Sequence, residues 1–202
     1  MKLQDLKFIF IEAWHGGGTD NGAVWNWTTE RAHTIWIAKA AAYFATQVSE
    51  FSGVQIIQIW VDENITLINK IKKINEISKK LWCNPNNSIL VSIHVNSGGK
   101  WLASGVEWWF YTGNAVSQSL VDWVAKCQSE LTWLKIRNTR GDLSNRRWRL
   151  WIIRDTKPLA CLIECWFIDN PSDANLLKNP ETEKKFWQGI IRWIKRFVWV
   201  MS

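Results

Sequence analysis

Two histidines and two glutamates are the residues of this sequence whose types and positions could do chemistry. His15 and His94 each follow a run of apolar, β-prone residues, among small or polar neighbours. Glu30 opens a helix-like stretch, and Glu164 follows the buried-type run PLACLI, where a charge usually has a partner. Imidazole nitrogens and carboxylate oxygens can bind a metal ion or carry a proton. Each residue alone is more typical of an ordinary structural role, so the prediction depends on all four meeting.

The segments that must position these side chains alternate between strand-like and helix-like patterns. The sequence predicts strands at 6–13, 54–61, 88–95, 105–111, 150–154 and 159–167, and helices at 29–49, 64–81, 115–134 and 181–200. This alternation favours a single α/β domain over residues 1–202, with a twisted, mostly parallel sheet flanked by helices. Ligands of such sheets gather at the carboxyl ends of the strands, where both histidines are expected, and glycines 16–18 form a loop there.

Length, charge and cysteine content bound the possibilities further. A chain of 202 residues can bury a sizeable core, and it has no apolar run of about 18 residues that would span a membrane, so we expect a soluble protein. The first residues lack the small-residue cleavage site of a signal peptide. The formal charge of +7 suits an anionic wall polymer or a nucleic acid equally. The four cysteines form no CxxC pair and are expected to be buried free thiols.

Four segments in a fixed order carry a resemblance over nearly the whole chain: AWHGGGTDNGA, TTERAHTIWIAK, NSILVSIHVNS and KPLACLIECWFIDN. Together they resemble the zinc-dependent N-acetylmuramoyl-L-alanine amidases of the type 3 family, which hydrolyse peptidoglycan. The resemblance implies that His15, Glu30 and His94 bind zinc and that Glu164 is the catalytic base, which passes a proton from the water to the leaving amine. It also implies a monomer that acts at the cell wall, periplasmic or extracellular, although no signal peptide is evident.

Four further residues lie in or near these segments, and an ordinary structural role is the favoured interpretation for each. His33, one helical turn beyond Glu30, is expected at the surface, and Arg154 is expected in solvent or in an ion pair. Glu12 and Asn96 could orient ligands through hydrogen bonds, but ordinary hydrogen bonding at strand ends is favoured for both.

Tryptophan is in excess, with 17 residues against 11 glycines, whereas glycine makes up about 7% of ordinary proteins. The G-H-G-G and E-x-G-F patterns of the family become WHGG and ECWF here, with tryptophan in place of glycine. One hypothesis explains both number and positions: the gene uses UGA for glycine, and the sequence writes these codons as tryptophan. The firmest candidates are Trp14, Trp27, Trp151 and Trp166. Genuine tryptophans that stack on sugars are the rival hypothesis, which the scatter of these residues disfavours, although Trp108 or Trp109 suits an aromatic strand.

Two other function classes stay open. The first is a non-catalytic wall-binding module on the same fold, its site distorted by genuine Trp14 and Trp166; bound zinc with amide cleavage would exclude it. The second is a nucleic-acid-binding protein that uses the lysines of 70–80 and the segment IIRWIKRF. No recognised nucleic-acid motif accompanies this charge, so no nucleic-acid partner is predicted.

Overall fold

A six-stranded mixed sheet with helices on both faces organises the chain. The computed structural model describes residues 3–15, 20–59, 65–98, 101–132, 135–144 and 150–200. The predicted glycine loop at 16–18 lies outside the described residues.

The elements follow the predicted alternation in most of the chain. The strands are β1 Phe8–Ala13, β2 Val24–Trp25, β3 Thr28–Thr29, β4 Gln55–Ile59, β5 Ser88–Asn96, β6 Val106–Phe110, β7 Ile136–Gly141 and β8 Leu159–Phe167. The α-helices are α1 Glu30–Ala45, α2 Leu67–Lys80, α3 Ala115–Thr132, α4 Trp151–Arg154, α5 Pro171–Leu177 and α6 Pro180–Val200. Short 3₁₀ turns lie at Leu3–Asp5, Ser49–Phe51 and Asp142–Ser144.

The sheet is mostly parallel, as predicted. Its strand order is β4-β1-β5-β8-β6-β7, and the first four strands run parallel to one another. β6 pairs antiparallel with β8, and β7 pairs parallel with β6. β1, β5 and β8 are adjacent and parallel, so their carboxyl ends lie at the same edge of the sheet.

The alternation of side chains along the strands fills two apolar layers. On β1, Ile9 and Ile11 join a cluster with α1, α3 and α6, whereas Phe10 joins a second cluster with α2 and α4. Apart from its last residue, every residue of β5 is buried, as expected for a strand covered on both faces. The site-bearing strands are therefore held from both sides.

Helix α1 begins where the sequence predicts a cap. The Thr29 side chain accepts a hydrogen bond from the backbone N–H of Ala32 at 3.2 Å, which satisfies one of the free donors of the first turn. Glu30 is therefore the first helical residue, and its backbone N–H donates to the Ala23 carbonyl at 2.8 Å. The cap places the Glu30 side chain at the start of the helix, beside the sheet edge.

The strand predicted at 150–154 is wrong, because this segment forms the single helical turn α4. The backbone N–H of Asp155 donates to the Trp151 carbonyl at 2.8 Å, which closes the turn. Ile152 and Ile153 pack against the sheet from outside. A short apolar run has the same pattern in a buried strand and in a buried turn, so its periodicity could not distinguish them.

The strand at the edge of the sheet beside β6 is β7, which the sequence pattern did not predict. Its residues, IRNTRG, are polar and partly exposed, as an edge strand allows. The β2–β3 hairpin and α5 were also not predicted.

Within the described chain, six residues other than glycine have a positive φ: His15, Asn26, Trp27, Trp82, Trp101 and Trp166. Four of the six are tryptophans, although bulky side chains disfavour this backbone conformation. Trp14 and Trp151, two of the four firmest candidates for recoded glycine, are not in this group.

The described residues also bear on membrane-spanning helices and on the cysteines. None of the described helices is both long and apolar enough to cross a membrane. The cysteines 83, 161 and 165 are buried thiols, as expected, and burial raises the pKa of the Cys161 thiol.

Candidate metal centre

The four predicted site residues meet at the carboxyl ends of the central strands. His15 lies two residues beyond β1, His94 lies near the end of β5, and Glu164 is its direct neighbour on β8. Glu30 reaches the same place from the start of α1. The sheet order therefore brings together residues that are far apart in the chain.

Glu30 lies between the two histidines. Its Oε2 atom is 3.2 Å from His15 Nε2, and its Oε1 atom is 3.8 Å from His94 Nδ1. His94 Nδ1 is also 3.9 Å from Glu164 Oε1. One potential ligand atom from each of Glu30, His94 and Glu164 lies within 4.8 Å of the others.

Backbone donors fix the Glu30 carboxylate. The N–H of Ala23 donates to Oε2 and the N–H of Val95 donates to Oε1, both at 3.1 Å. Hydrogen bonds from two separate segments hold the buried carboxylate in one orientation, with an oxygen directed at each histidine.

His15 is held by carboxylates at both ring nitrogens. Its Nδ1 donates to Asp20 Oδ1 at 2.7 Å, which leaves Nε2 directed at Glu30. Burial lowers the pKa of His15, but the hydrogen bonds and charges of Glu30 and Asp20 outweigh it, and the pKa is raised above its ordinary value. A cation between His15 and Glu30 would compete with this proton.

Gly22 approaches the site so closely that no side chain fits. It has a φ of +64°, and a Cβ atom there would lie 2.5 Å from His15 Nε2 and 2.7 Å from Glu30 Oε2. At Gly22, therefore, only backbone can lie against His15 and Glu30.

His94 is buried and uncharged. Burial lowers the pKa of His94 well below its ordinary value, and the positive charges of His15 and Lys70 add to this effect. The Trp14 ring stacks on His94 with 4.4 Å between ring centroids. A neutral imidazole is the form that binds metals.

Glu164 carries a carboxylate whose charge is poorly compensated. Its Oε2 atom is buried and has no hydrogen-bond partner in the part of the chain that the structure describes. Burial raises the pKa of Glu164 well above the usual range, and the negative charges of Glu30 and Glu107 raise it further. An excess of carboxylates beside two imidazoles is a donor set that fits a divalent cation with nitrogen and oxygen ligands.

Glu107 is a site neighbour that the sequence analysis missed. It is buried on β6 directly opposite Glu164, and it accepts a hydrogen bond from Asn96 Nδ2 at 3.0 Å. Its Oε1 atom also lies 3.4 Å from an Arg137 nitrogen. A lone charge in the apolar run VEWWF was the available signal, of the same kind that singled out Glu164.

Two further expectations concerned Arg154 and His33, and only the one for Arg154 is confirmed. Arg154 is ion-paired, as expected, at 3.1 Å from Asp142. The surface position expected for His33 is wrong, because this side chain is buried and its Nε2 lies 2.8 Å from the Thr28 hydroxyl oxygen. The turn into α1 folds over His33, which helical spacing alone could not show.

Comparison with known proteins gives a family match over most of the chain. The sequence model of a family described as N-acetylmuramoyl-L-alanine amidase matches residues 9–196. The sporulation-specific N-acetylmuramoyl-L-alanine amidase of Bacillus subtilis strain 168 is 30% identical over 171 residues, which cover 84% of this chain and 60% of that protein. The endolysin of Bacillus phage SPP1 is 28% identical over 177 residues, which cover 85% of this chain and 59% of that protein. The chain thus spans about three fifths of both relatives.

Solved structures share the fold. An N-acetylmuramoyl-L-alanine amidase from Clostridium difficile 630 aligns with a TM-score of 0.80 and 22% identity, covering 96% of this chain and 97% of that one. The catalytic domain of CwlV from Bacillus (Paenibacillus) polymyxa var. colistinus aligns with a TM-score of 0.77 and 22% identity, covering 96% and 98%. Both match the α/β architecture described above.

Proposed function

The chain belongs to the N-acetylmuramoyl-L-alanine amidase family, and from this premise we propose that it is a zinc-dependent hydrolase of peptidoglycan. The bond cut is the amide between N-acetylmuramic acid and L-alanine. The observation that carries the proposal is the meeting of His15, Glu30, His94 and Glu164 at one edge of the sheet.

We propose that His15, Glu30 and His94 hold the zinc ion. His15 donates its Nδ1 proton to Asp20, so once the ring is neutral its Nε2 lone pair faces Glu30, and His94 directs Nδ1 at the same carboxylate. When bound there, zinc supplies an acidified water and polarises a carbonyl oxygen. The site also suits zinc because three protein ligands leave a position open.

Glu164 is proposed as the general base and then the general acid. Its raised pKa suits both steps, because a carboxylate of ordinary acidity would hold a proton too weakly to return it. Glu107 assists through its negative charge, which favours the protonated form of Glu164. The proton would go to the nitrogen of the leaving L-alanine, which departs as a neutral amine.

The first test is hydrolysis of purified peptidoglycan, followed through the release of free L-alanine amino groups. We expect zinc-loaded protein to cleave it, a chelator to stop cleavage, and Glu164→Gln to retain zinc while its rate falls about 10²- to 10⁴-fold. Glu76→Gln, on the exposed side of α2, is the control and should behave as the unchanged chain. Cleavage that survives both the chelator and Glu164→Gln would refute the proposal.

One observation favours a second candidate function. The Trp14 ring covers one face of His94 and crowds the site. A non-catalytic module would bind peptidoglycan without cleaving it, so a pull-down with insoluble cell wall, run beside the cleavage assay, separates the two. In both cases the proposed place of action is the cell wall.

A further inference from the structure

A chain of buried polar side chains lies behind His94, at the ring nitrogen that faces away from Glu30. His94 Nε2 lies 3.2 Å from Ser92 Oγ, and Ser92 Oγ donates to Glu12 Oε2 at 2.5 Å. The Lys70 ammonium donates to Glu12 Oε1 at 2.6 Å and to the Ala13 carbonyl at 2.7 Å. Ser92, Glu12 and Lys70 are all essentially inaccessible to solvent.

The direction of these hydrogen bonds follows from the chemistry of each group. A carboxylate only accepts, so the single Ser92 proton is committed to Glu12. The Ser92 oxygen can then only accept from His94, which requires the proton of the His94 ring to be on Nε2. Nδ1, which faces Glu30 and Glu164, is left with its lone pair free.

We propose that Ser92, Glu12 and Lys70 position His94 as a ligand by fixing it in the Nε2–H tautomer. This inference rests on the proposed metal site. Lys70 is the anchor, because its ammonium pairs with one oxygen of Glu12 and so holds the carboxylate whose other oxygen accepts from Ser92. Through its hydrogen bond to the Ala13 carbonyl, Lys70 joins α2 to the end of β1, two residues before His15.

The first readout is the tautomer itself. The chain has only three histidines, so the nitrogen and proton resonances of their rings can be assigned one by one. In the unchanged protein, with and without zinc, we expect His94 to carry its proton on Nε2. A proton on Nδ1 in the zinc-free protein overturns the proposal without any variant.

The second readout is zinc affinity, measured by competition with a chromophoric chelator. Ser92→Ala removes the acceptor and should weaken zinc binding about 10- to 100-fold, with His94 divided between its two tautomers. Ser88→Ala is the matched control, since Ser88 is equally buried on the same strand but donates to the Asn84 carbonyl, at the far end. Equal zinc affinities in the two variants would overturn the proposal. Neither readout uses peptidoglycan, so this failure is distinct from a failure of the proposed hydrolysis.

An independent observation concerns tryptophans in the left-handed backbone region. Asn26 and Trp27 form the two-residue loop of the β2–β3 hairpin, and their φ values are +43° and +66°. Two-residue hairpins with positive φ at both positions strongly prefer the pair Asn-Gly. Trp27 stands at the glycine position of this pair.

Trp82 also stands where glycine is usual, here at the end of helix α2. It follows the C-cap Leu81 of α2 with a φ of +56°. Its N–H donates to the Lys79 carbonyl, and the N–H of Cys83 donates to the Ser78 carbonyl. These two bonds define the helix-ending motif whose left-handed residue is usually glycine.

Trp166 occupies a bulge next to the proposed catalytic base. The partners of His94 and Asn96 on β8 are Glu164 and Phe167, so two residues, Cys165 and Trp166, oppose one on β5. Trp166 has a φ of +70°, and its indole N–H is buried without a hydrogen-bond partner among the described residues. Bulges with a left-handed residue use glycine there.

We infer that residues 27, 82, 101 and 166 are glycine in the protein as its own organism makes it, each encoded by UGA. Three unrelated backbone motifs each place a tryptophan where the motif calls for glycine, and Trp101 shares the positive φ. Substitution by chance would not select such positions. Trp14 and Trp151 do not have a positive φ, so they are not included among these four.

The codons of the source gene and peptide masses of the natively produced protein test this inference. We expect UGA codons and glycine masses at the four positions, and UGG with tryptophan at Trp108, a buried residue in the middle of β6. UGG codons at the four positions, or tryptophan in the native peptides, would overturn the inference.

Discussion

Each oxygen of Glu30 faces a different histidine, and the two histidines are oriented in opposite ways. His15 donates from Nδ1 to Asp20, and His94 in the proposed tautomer donates from Nε2 to Ser92, so in each neutral ring the nitrogen that faces Glu30 is the one that can bind a cation. The outer partners therefore determine which atom of each ring is available.

Zinc affinity should depend on pH through His15. The raised pKa of His15 means that a proton competes with zinc at pH values just above 6.5 as well as below. Apparent affinity should therefore rise with pH through this window and level off once His15 is neutral. Chelator competition over a pH series measures this rise.

Asp20→Asn supplies the control for this pH dependence. Asp20 is 55% exposed, so the substitution should be tolerated, and it removes one of the carboxylates that raise the pKa of His15. The rise in affinity should move to lower pH in this variant. A shift toward higher pH would contradict the assignment.

The sequence singled out the four proposed site residues through the segments that resemble the amidase family, and the structure brings their side chains together. The sequence was not sufficient to predict their partners. Lys70 and Glu12 are 58 positions apart and Ser92 and Glu12 are 80 apart, and only the sheet register brings them into contact. In the linear sequence, Lys70 is one lysine among several on α2.

Secondary-structure elements with strong periodicity were predicted well, and those defined by turn chemistry were not. The bounds of β8 match the prediction, and α2 is close to it. The β2–β3 hairpin was missed because Asn-Trp gives no hairpin signal, whereas Asn-Gly would have. β7 was missed because an exposed edge strand lacks the apolar alternation that identifies strands.

Trp27→Gly should stabilise the protein. The Trp27 side chain is fully exposed, so little packing is lost, and relief of the left-handed backbone should raise the free energy of unfolding by about 1–2 kcal/mol. Urea denaturation measures the change.

Trp36→Gly is the matched control for this substitution. Trp36 is 42% exposed in the middle of α1 and has ordinary helical backbone. Glycine there should lower the free energy of unfolding by about 0.5–1 kcal/mol. If both variants lose stability, the backbone of Trp27 is not the source of strain.

At the scale of the whole molecule, the site links elements that are distant in the chain. The proposed ligands come from the segment after β1, from the start of α1 and from β5. Four of the basic side chains are already engaged, since Lys70 is buried against Glu12 and Arg137, Arg154 and Lys195 each pair with a carboxylate.

Zinc should therefore stabilise the entire fold. A ligand that binds only the folded state at about 100 times its Kd adds about 2.7 kcal/mol to the free energy of unfolding. Thermal unfolding with and without added zinc measures the shift. His94→Ala should unfold at the same temperature in both conditions, and a zinc-dependent increase that persists in this variant would place the metal elsewhere.

The left-handed turn at residue 27 also has a consequence for the spread of the gene. If its codon is UGA, a bacterium that treats UGA as a stop signal would end translation no later than this turn. The fragment would contain at most β1 and β2 and neither α1 nor β5, and hence neither Glu30 nor His94. A neighbour that acquired the gene by horizontal transfer could not produce the proposed wall-degrading activity, so that activity would be confined to organisms that share this genetic code.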